Sequence, residues 1–129
     1  MMTGRVVHFE VPYDDADRAR AFYSDVFGWS IQQMPEFEYN FVQTGPTHET
    51  GMPTEPGYIG GGMFQRQPDI GQPIITIDVD DVDKALATIA EHGGAAVGDT
   101  QPVGDMGIAA YFTDSEGNLM GLWQSLGSS

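Results

Sequence analysis

An α+β fold made of two tandem β-α-β-β-β modules is what this 129-residue sequence predicts. Three observations carry the expectation. The tetrapeptides GMFQ (62–65) and GLWQ (121–124) are near-repeats. The segments VHFEV (7–11) and ITIDV (75–79) both alternate apolar and polar residues, the pattern of half-buried strands. Each of those segments runs into an acidic turn and then into apolar residues spaced three and four apart, the mark of an amphipathic helix.

In the first copy, DDADRARAFYSDVFGW places Ala16, Ala19, Phe22, Tyr23, Val26 and Phe27 on one stripe. Asp14 or Asp15 is expected to cap its first turn, and Gly28 to end it. Strands are expected over WSIQQM, EYNFVQT and YIGGGMFQR. In the second copy, DDVDKALATIAEHGG puts Val82, Ala85, Leu86 and Ile89 on a stripe, capped by Asp80 or Asp81 and ended by Gly93 and Gly94. Strands follow over AAVGDT, IAAYFTD and NLMGLWQS. The chain reads as a single domain over 1–129, with modules at 4–66 and 73–125 and a short polar linker at 67–72. The copies differ most at 45–57, where GPTHETGMPTEP makes a long connection of the kind that serves as a lid, a binding loop or an interface arm. Its counterpart, DSEGN, is a tight turn.

Composition narrows the function. Nineteen acidic residues against five basic ones give a net charge of −14, which repels phosphate backbones and anionic headgroups. Nucleic acid and membrane are therefore not expected as partners. A high-salt cytoplasm is one setting that suits such a surface. There is no cysteine, so thiolate catalysis and cysteine-ligated metal are excluded. The N-terminus lacks the pattern of a secretory signal and no apolar run is long enough to span a bilayer, so a cytoplasmic location is expected.

The segments VVHFEVPYDDADRARAFYSDVFGW, IDVDDVDKALATIAEHGG and YFTDSEGNLMGLWQ, taken in order, resemble the vicinal-oxygen-chelate superfamily of glyoxalases, bleomycin-resistance proteins and extradiol dioxygenases. The resemblance covers nearly the whole chain. It implies paired βαβββ modules whose mixed sheet curls around a cleft, and commonly a homodimer. Catalytic members hold one divalent metal there through a residue of the first and fourth strand of each module. Their substrates chelate it through adjacent oxygens before isomerisation, ring cleavage or thiol transfer. Other members bind a small molecule with no metal.

Aligning Val11 with Val79 pairs His8 with Thr76 and Glu10 with Asp78. Counting back along each strand in the superfamily pattern then gives Val6, Gly62, Ile74 and Gly121 at the four ligand positions. None offers a nitrogen or oxygen side-chain donor. Anchoring on AFY instead would put His8 at the first position; the strand count is preferred because side-chain alternation fixes the face. The two glycines are expected to leave open space at the centre of the cleft, and Gly60 and Gly61 to mark bulges or kinks.

Alternation turns Val7, Phe9 and Val11 toward the helices, and leaves His8, Glu10, Thr76 and Asp78 toward the cleft with Phe64 and Trp123. These six are the candidate ligand-binding residues. His8 and Glu10 read either as a proton-handling or ligand-orienting pair or as a wall residue beside a wet strand end. His48 in the long loop reads as solvated or as closing over a ligand. His92 suits a helix C-terminus. Trp29 and Tyr23 read as packing residues. GYIGGGM lacks the GK[ST] ending of a phosphate loop.

The expected function is binding of a small hydrophobic or aromatic ligand, with no cofactor and the usual metal not favoured. The alternative is a metal-dependent lyase, isomerase or dioxygenase using a rearranged site around His8 and Glu10. A third reading is a dimeric interaction module whose cleft is filled by its own side chains.

Overall fold

The computed structural model describes residues 4–34 and 38–126. Along the chain run β1 (Val6–Tyr13), α1 (Ala16–Phe27), β2 (Ser30–Met34), β3 (Tyr39–Gln43), β4 (Gly61–Gln65), β5 (Ile74–Asp78), α2 (Val82–Glu91), β6 (Ala95–Val103), β7 (Gly107–Thr113) and β8 (Leu119–Ser125). The fold is α+β, with the β-α-β-β-β order occurring twice. The chain divides into two compact units, one of residues His8–Pro73 and one of the remaining described chain. We call them the N-terminal and C-terminal units.

Both units build their sheets alike. In the N-terminal unit β3 lies antiparallel to β2 and to β4, and β4 runs parallel to β1. In the C-terminal unit β7 lies antiparallel to β6 and to β8, and β8 runs parallel to β5. A parallel neighbour cannot follow through a hairpin, so each module crosses over through its helix before its last strand returns beside its first.

The helices begin as their sequences predict. Asp15 caps α1 by accepting from the Arg18 N–H at 2.9 Å, and Asp81 caps α2 by accepting from the Lys84 N–H at 3.0 Å. Gly28 ends α1 in the left-handed region, at φ 74°, where a side chain would be strained. His92 is the C-terminal cap of α2, with Gly93 at φ 96° just beyond.

How the helices attach differs sharply. Helix α2 buries Val82 and Ala85 among Val79, Ala110, Phe112 and Leu122, the apolar core of its unit. Helix α1 buries no residue completely; Phe22, Val26 and Phe27 of its expected stripe are 53%, 56% and 60% exposed. The sheet beneath α1 presents the buried amide of Asn40, where α2 meets apolar side chains. Asn40 donates to the Tyr13 hydroxyl at 3.0 Å and to the Met63 carbonyl at 3.3 Å, and accepts from Arg20 of α1 at 3.2 Å. The remaining anchorage is aromatic: Tyr23 stacks on Trp29 with centroids 4.7 Å apart, and Trp29 meets Phe9 at 5.5 Å. Phe9 thus faces the helix, as alternation predicts.

The glutamines of GMFQ and GLWQ have matching duties. Gln65 Nε2 donates to the carbonyls of Tyr13 and Asp14, and Gln124 Oε1 accepts from the Val82 N–H at 2.8 Å. Each closing strand therefore ties down the junction between its module's first strand and helix.

Gly61 is not a bulge, and Gly60 lies just ahead of β4. The β3–β4 register runs without a shift, and both glycines are places of close approach: a Cβ on Gly60 would press on the Val42 carbonyl, and one on Gly61 would strike the Phe9 ring. A register shift occurs in β6 between Val97 and Gln101, with Gly98 at φ 72°.

The 45–57 connection folds on itself. Tyr58 donates to the Pro46 carbonyl at 2.6 Å and its ring lies against Gly45, Thr47 bridges to Pro53, and the His48 N–H reaches the Met52 carbonyl at 2.8 Å. The DSEGN turn is closed by Asp114, whose Oδ1 accepts from the N–H groups of Glu116 and Asn118.

Candidate functional site

In the N-terminal sheet one face carries α1. The other carries His8 and Glu10 of β1, Gly62 and Phe64 of β4, and Tyr39 and Phe41 of β3, because Glu10 pairs with Gly62, Gly62 with Phe41, and Tyr39 with Phe64. Tyr39 leans diagonally over Gly62, and a Cβ built on that glycine would overlap its hydroxyl outright. The expected open space is therefore closed. A glycine in a strand leaves a gap that an aromatic side chain from the neighbouring strand can fill, and Tyr39 fills this one.

The phenol lands between two titratable groups. Tyr39 Oη donates to Glu10 Oε2 at 2.7 Å and lies 2.8 Å from His8 Nε2. Glu10 is only 8% exposed. A phenol has one proton, and a carboxylate can only accept. With that proton on the bond to Glu10, His8 must supply the proton of its own bond, so Nε2 is the protonated nitrogen and Nδ1 keeps its lone pair. Burial lowers the His8 pKa from its ordinary 6.5, opposed in smaller part by the attraction of Glu10, and so favours the neutral ring. Beside the Tyr39 ring stand those of Phe41 and Phe64, with centroids 5.4 Å and 6.4 Å away.

The sheet registers also correct the alignment of the modules. Glu10 pairs with Gly62 as Thr76 pairs with Gly121. The helix caps agree: Asp15 follows Glu10 at the same interval as Asp81 follows Thr76. Glu10 therefore corresponds to Thr76 and His8 to Ile74, and the pairing of His8 with Thr76 is wrong. The extra residues of the first turn belong to a longer β1, so counting from Val11 misplaces the strand by two. His8 replaces Val6 at the first ligand position.

The superfamily's metal does not fit the four residues so identified, His8, Gly62, Ile74 and Gly121. One can donate to a cation, two have no side chain, and one is an alkyl group. The space at Gly62 holds the Tyr39 phenol. At Gly121, Thr76 Oγ1 lies 2.9 Å and an Ile74 methyl 3.5 Å from where a Cβ would stand. Among the described residues no three His, Asp or Glu side chains gather where a metal could be held.

Of the six candidates, the structure brings His8, Glu10 and Phe64 together around Tyr39. The other three belong to the C-terminal unit. Thr76 is buried beside Gly121. Asp78 lies half-buried at a shallow depression lined also by Val79, Asp80 and Ser125. Trp123 is half-buried with its ring over Gly107, and its indole N–H donates to Ser125 Oγ at 3.1 Å. His48 and His92 are exposed, and His92 Nδ1 bonds the Thr88 carbonyl at 2.9 Å, a helix-end contact. Tyr39 and Phe41 are absent from the sequence-derived set. Their signal was the alternation in EYNFVQT, which puts both on one face opposite the glycine-rich strand.

Among the described residues no helix is long and apolar enough to cross a membrane. Residues 5–45 match the family described as bleomycin resistance protein-like N-terminal. A glyoxylase-like domain-containing protein of Didymella fabae is 28% identical over 92% of this chain and 91% of its own length. A candidate glyoxylase of Mycobacterium bovis, CFP32, is 28% identical over 86% of this chain, which spans 42% of that longer protein. Among solved structures, a hypothetical protein of Bacillus halodurans C-125 superposes with a TM-score of 0.65 at 12% identity, covering 98% of each chain. Methylmalonyl-CoA epimerase of Mycobacterium tuberculosis gives 0.61 at 15% identity, covering 96% of this chain and 89% of that one. A superfamily protein of Vibrio splendidus 12B01 gives 0.59 at 17% identity, covering 96% and 100%. Module order and sheet pairing agree with the fold of these solved structures, and in sequence the chain is similar to glyoxylase-like and bleomycin resistance protein-like proteins.

Proposed function

We propose that this chain binds a small hydrophobic or aromatic molecule without the metal that catalytic members of the superfamily it resembles use. The observation that carries the reading is the Tyr39 phenol standing over Gly62 and bonded to both His8 and Glu10. A hydroxyl held by a carboxylate and an imidazole, with Phe41 and Phe64 beside it, makes a small polar centre among rings. That is the usual composition of a small-molecule site. The same three groups orient a ligand and hold a proton at a defined atom, Nε2 of His8.

Titration calorimetry with Ni²⁺, Zn²⁺, Mn²⁺ and Fe²⁺ tests the reading, with no saturable one-to-one binding expected. One-to-one binding at micromolar concentration would instead favour the metal-dependent alternative around His8 and Glu10. The exposed apolar residues of α1 support association into a homodimer. Sedimentation of the wild type and of Phe27→Asp tests this, and a monomeric wild type would remove it.

A further inference from the structure

Building on that reading, we infer that His8 Nδ1 is the recognition point for an uncharged, apolar ligand carrying one O–H or N–H donor. The argument is a count of protons and partners. The one phenolic proton goes to Glu10, so the hydrogen shared between Tyr39 and His8 sits on Nε2. In a neutral imidazole the other nitrogen is then an acceptor. Among the described residues no hydrogen bond reaches Nδ1, and no fully buried side-chain nitrogen or oxygen is left without a partner, so the lone pair of this half-buried ring is not sealed in the core.

His8 projects from the sheet face that carries Tyr39, Phe41 and Phe64, which gives an acceptor beside aromatic surface. A ligand that is all hydrocarbon would leave that lone pair without a donor. An anionic ligand would bring negative charge to a lone pair and to the neighbouring Glu10 carboxylate. A neutral donor on an apolar body meets both demands. The carboxylate–phenol–imidazole chain is what fixes the ring, as a carboxylate fixes a histidine in many sites, so Tyr39 and Glu10 are positioning residues and His8 makes the contact.

The test is a long-range ¹H–¹⁵N spectrum of the ¹⁵N-labelled chain at neutral pH, recorded alone and with phenol, anisole and benzoate as probes. The expected result is His8 in the Nε2–H form, an Nδ1 resonance that moves with phenol but not with anisole, and phenol binding about threefold to tenfold tighter than anisole, the worth of one hydrogen bond. Benzoate is expected to bind more weakly than either. His8→Ala should lose the preference for phenol over anisole. The Nδ1–H form, or equal binding of phenol and anisole with His8 unmoved, would overturn the inference while leaving an apolar site in place. Failure of all three probes to bind would overturn the functional reading itself. The wild-type tautomer decides the matter even where His8→Ala does not fold.

Discussion

The two modules share one topology and fill the same gap in opposite ways. In the N-terminal unit the space over Gly62 is taken by a phenol reaching diagonally from β3, and that phenol ties together two titratable side chains. In the C-terminal unit the space by Gly121 is taken by Thr76, its partner in register, backed by an Ile74 methyl. The helices show the same division: α2 seats Val82 and Ala85 in an apolar core, while α1 rests on a buried amide and an aromatic stack. One copy of the module has kept its stability in its core, and the other has placed polar chemistry at its centre.

The largest effect should come from comparing the helices' surroundings. Leu122→Ala, in the core beneath α2, is expected to cost about 2–5 kcal/mol of unfolding free energy, whereas Phe22→Ala on the exposed face of α1 should cost within about 0.5 kcal/mol. Chemical denaturation of both variants measures this. Similar losses, measured at a concentration where the chain is monomeric, would mean that α1 is seated as firmly on its sheet as α2 and that the contrast is false.

The glycines come next. Gly62→Ala places a methyl in the space of the Tyr39 hydroxyl and should destabilise by about 1–3 kcal/mol, while displacing the phenol from Glu10. Gly121→Ala meets only the Thr76 hydroxyl at 2.9 Å and should cost less. The reverse order, read from thermal melts, would break the claim that the two gaps are filled differently.

Tyr39→Phe removes the donor to Glu10 and the acceptor for His8 without changing shape, at an expected cost of about 1–2 kcal/mol. Thr76→Val, its nearest counterpart, should lie closer to neutral. A larger loss for Thr76→Val than for Tyr39→Phe would reverse the assignment of polar chemistry to the N-terminal unit.

The smallest effect is one of pH. Burial lowers the native His8 pKa below 6.5, so the unfolded chain gains a proton first as the pH falls. This contribution to stability is whole above 6.5, declines as the pH drops from 6.5 through the lower native value, and should flatten in His8→Asn. Denaturant midpoints across that range measure it; an unchanged slope in the variant would show that His8 is not held neutral.

Much of the fold was legible because it is written in short-range pattern. Alternation marks the strands, Asp15 and Asp81 mark the helix starts, and Gly28 marks a stop. Register was not. Whether Val11 or the helix anchors the first strand changes which residue meets Gly62, and only cross-strand pairing settles that. The site was legible in half: His8, Glu10 and Phe64 follow from alternation, but Tyr39 enters through a glycine on another strand, a long-range fact with no local signature. The exposed stripe of α1 was misleading for the same reason, since periodicity says which side of a helix is apolar and not what lies under it.

The account rests on the phenol of Tyr39 occupying the space over Gly62, where the superfamily pattern has a metal ligand. A crystal structure of the protein grown with Mn²⁺ and Zn²⁺ present tests it most directly. The account predicts Tyr39 Oη over Gly62, within hydrogen-bonding distance of both His8 Nε2 and Glu10. A cation coordinated by His8 and Glu10, with the Tyr39 ring swung away, would contradict it.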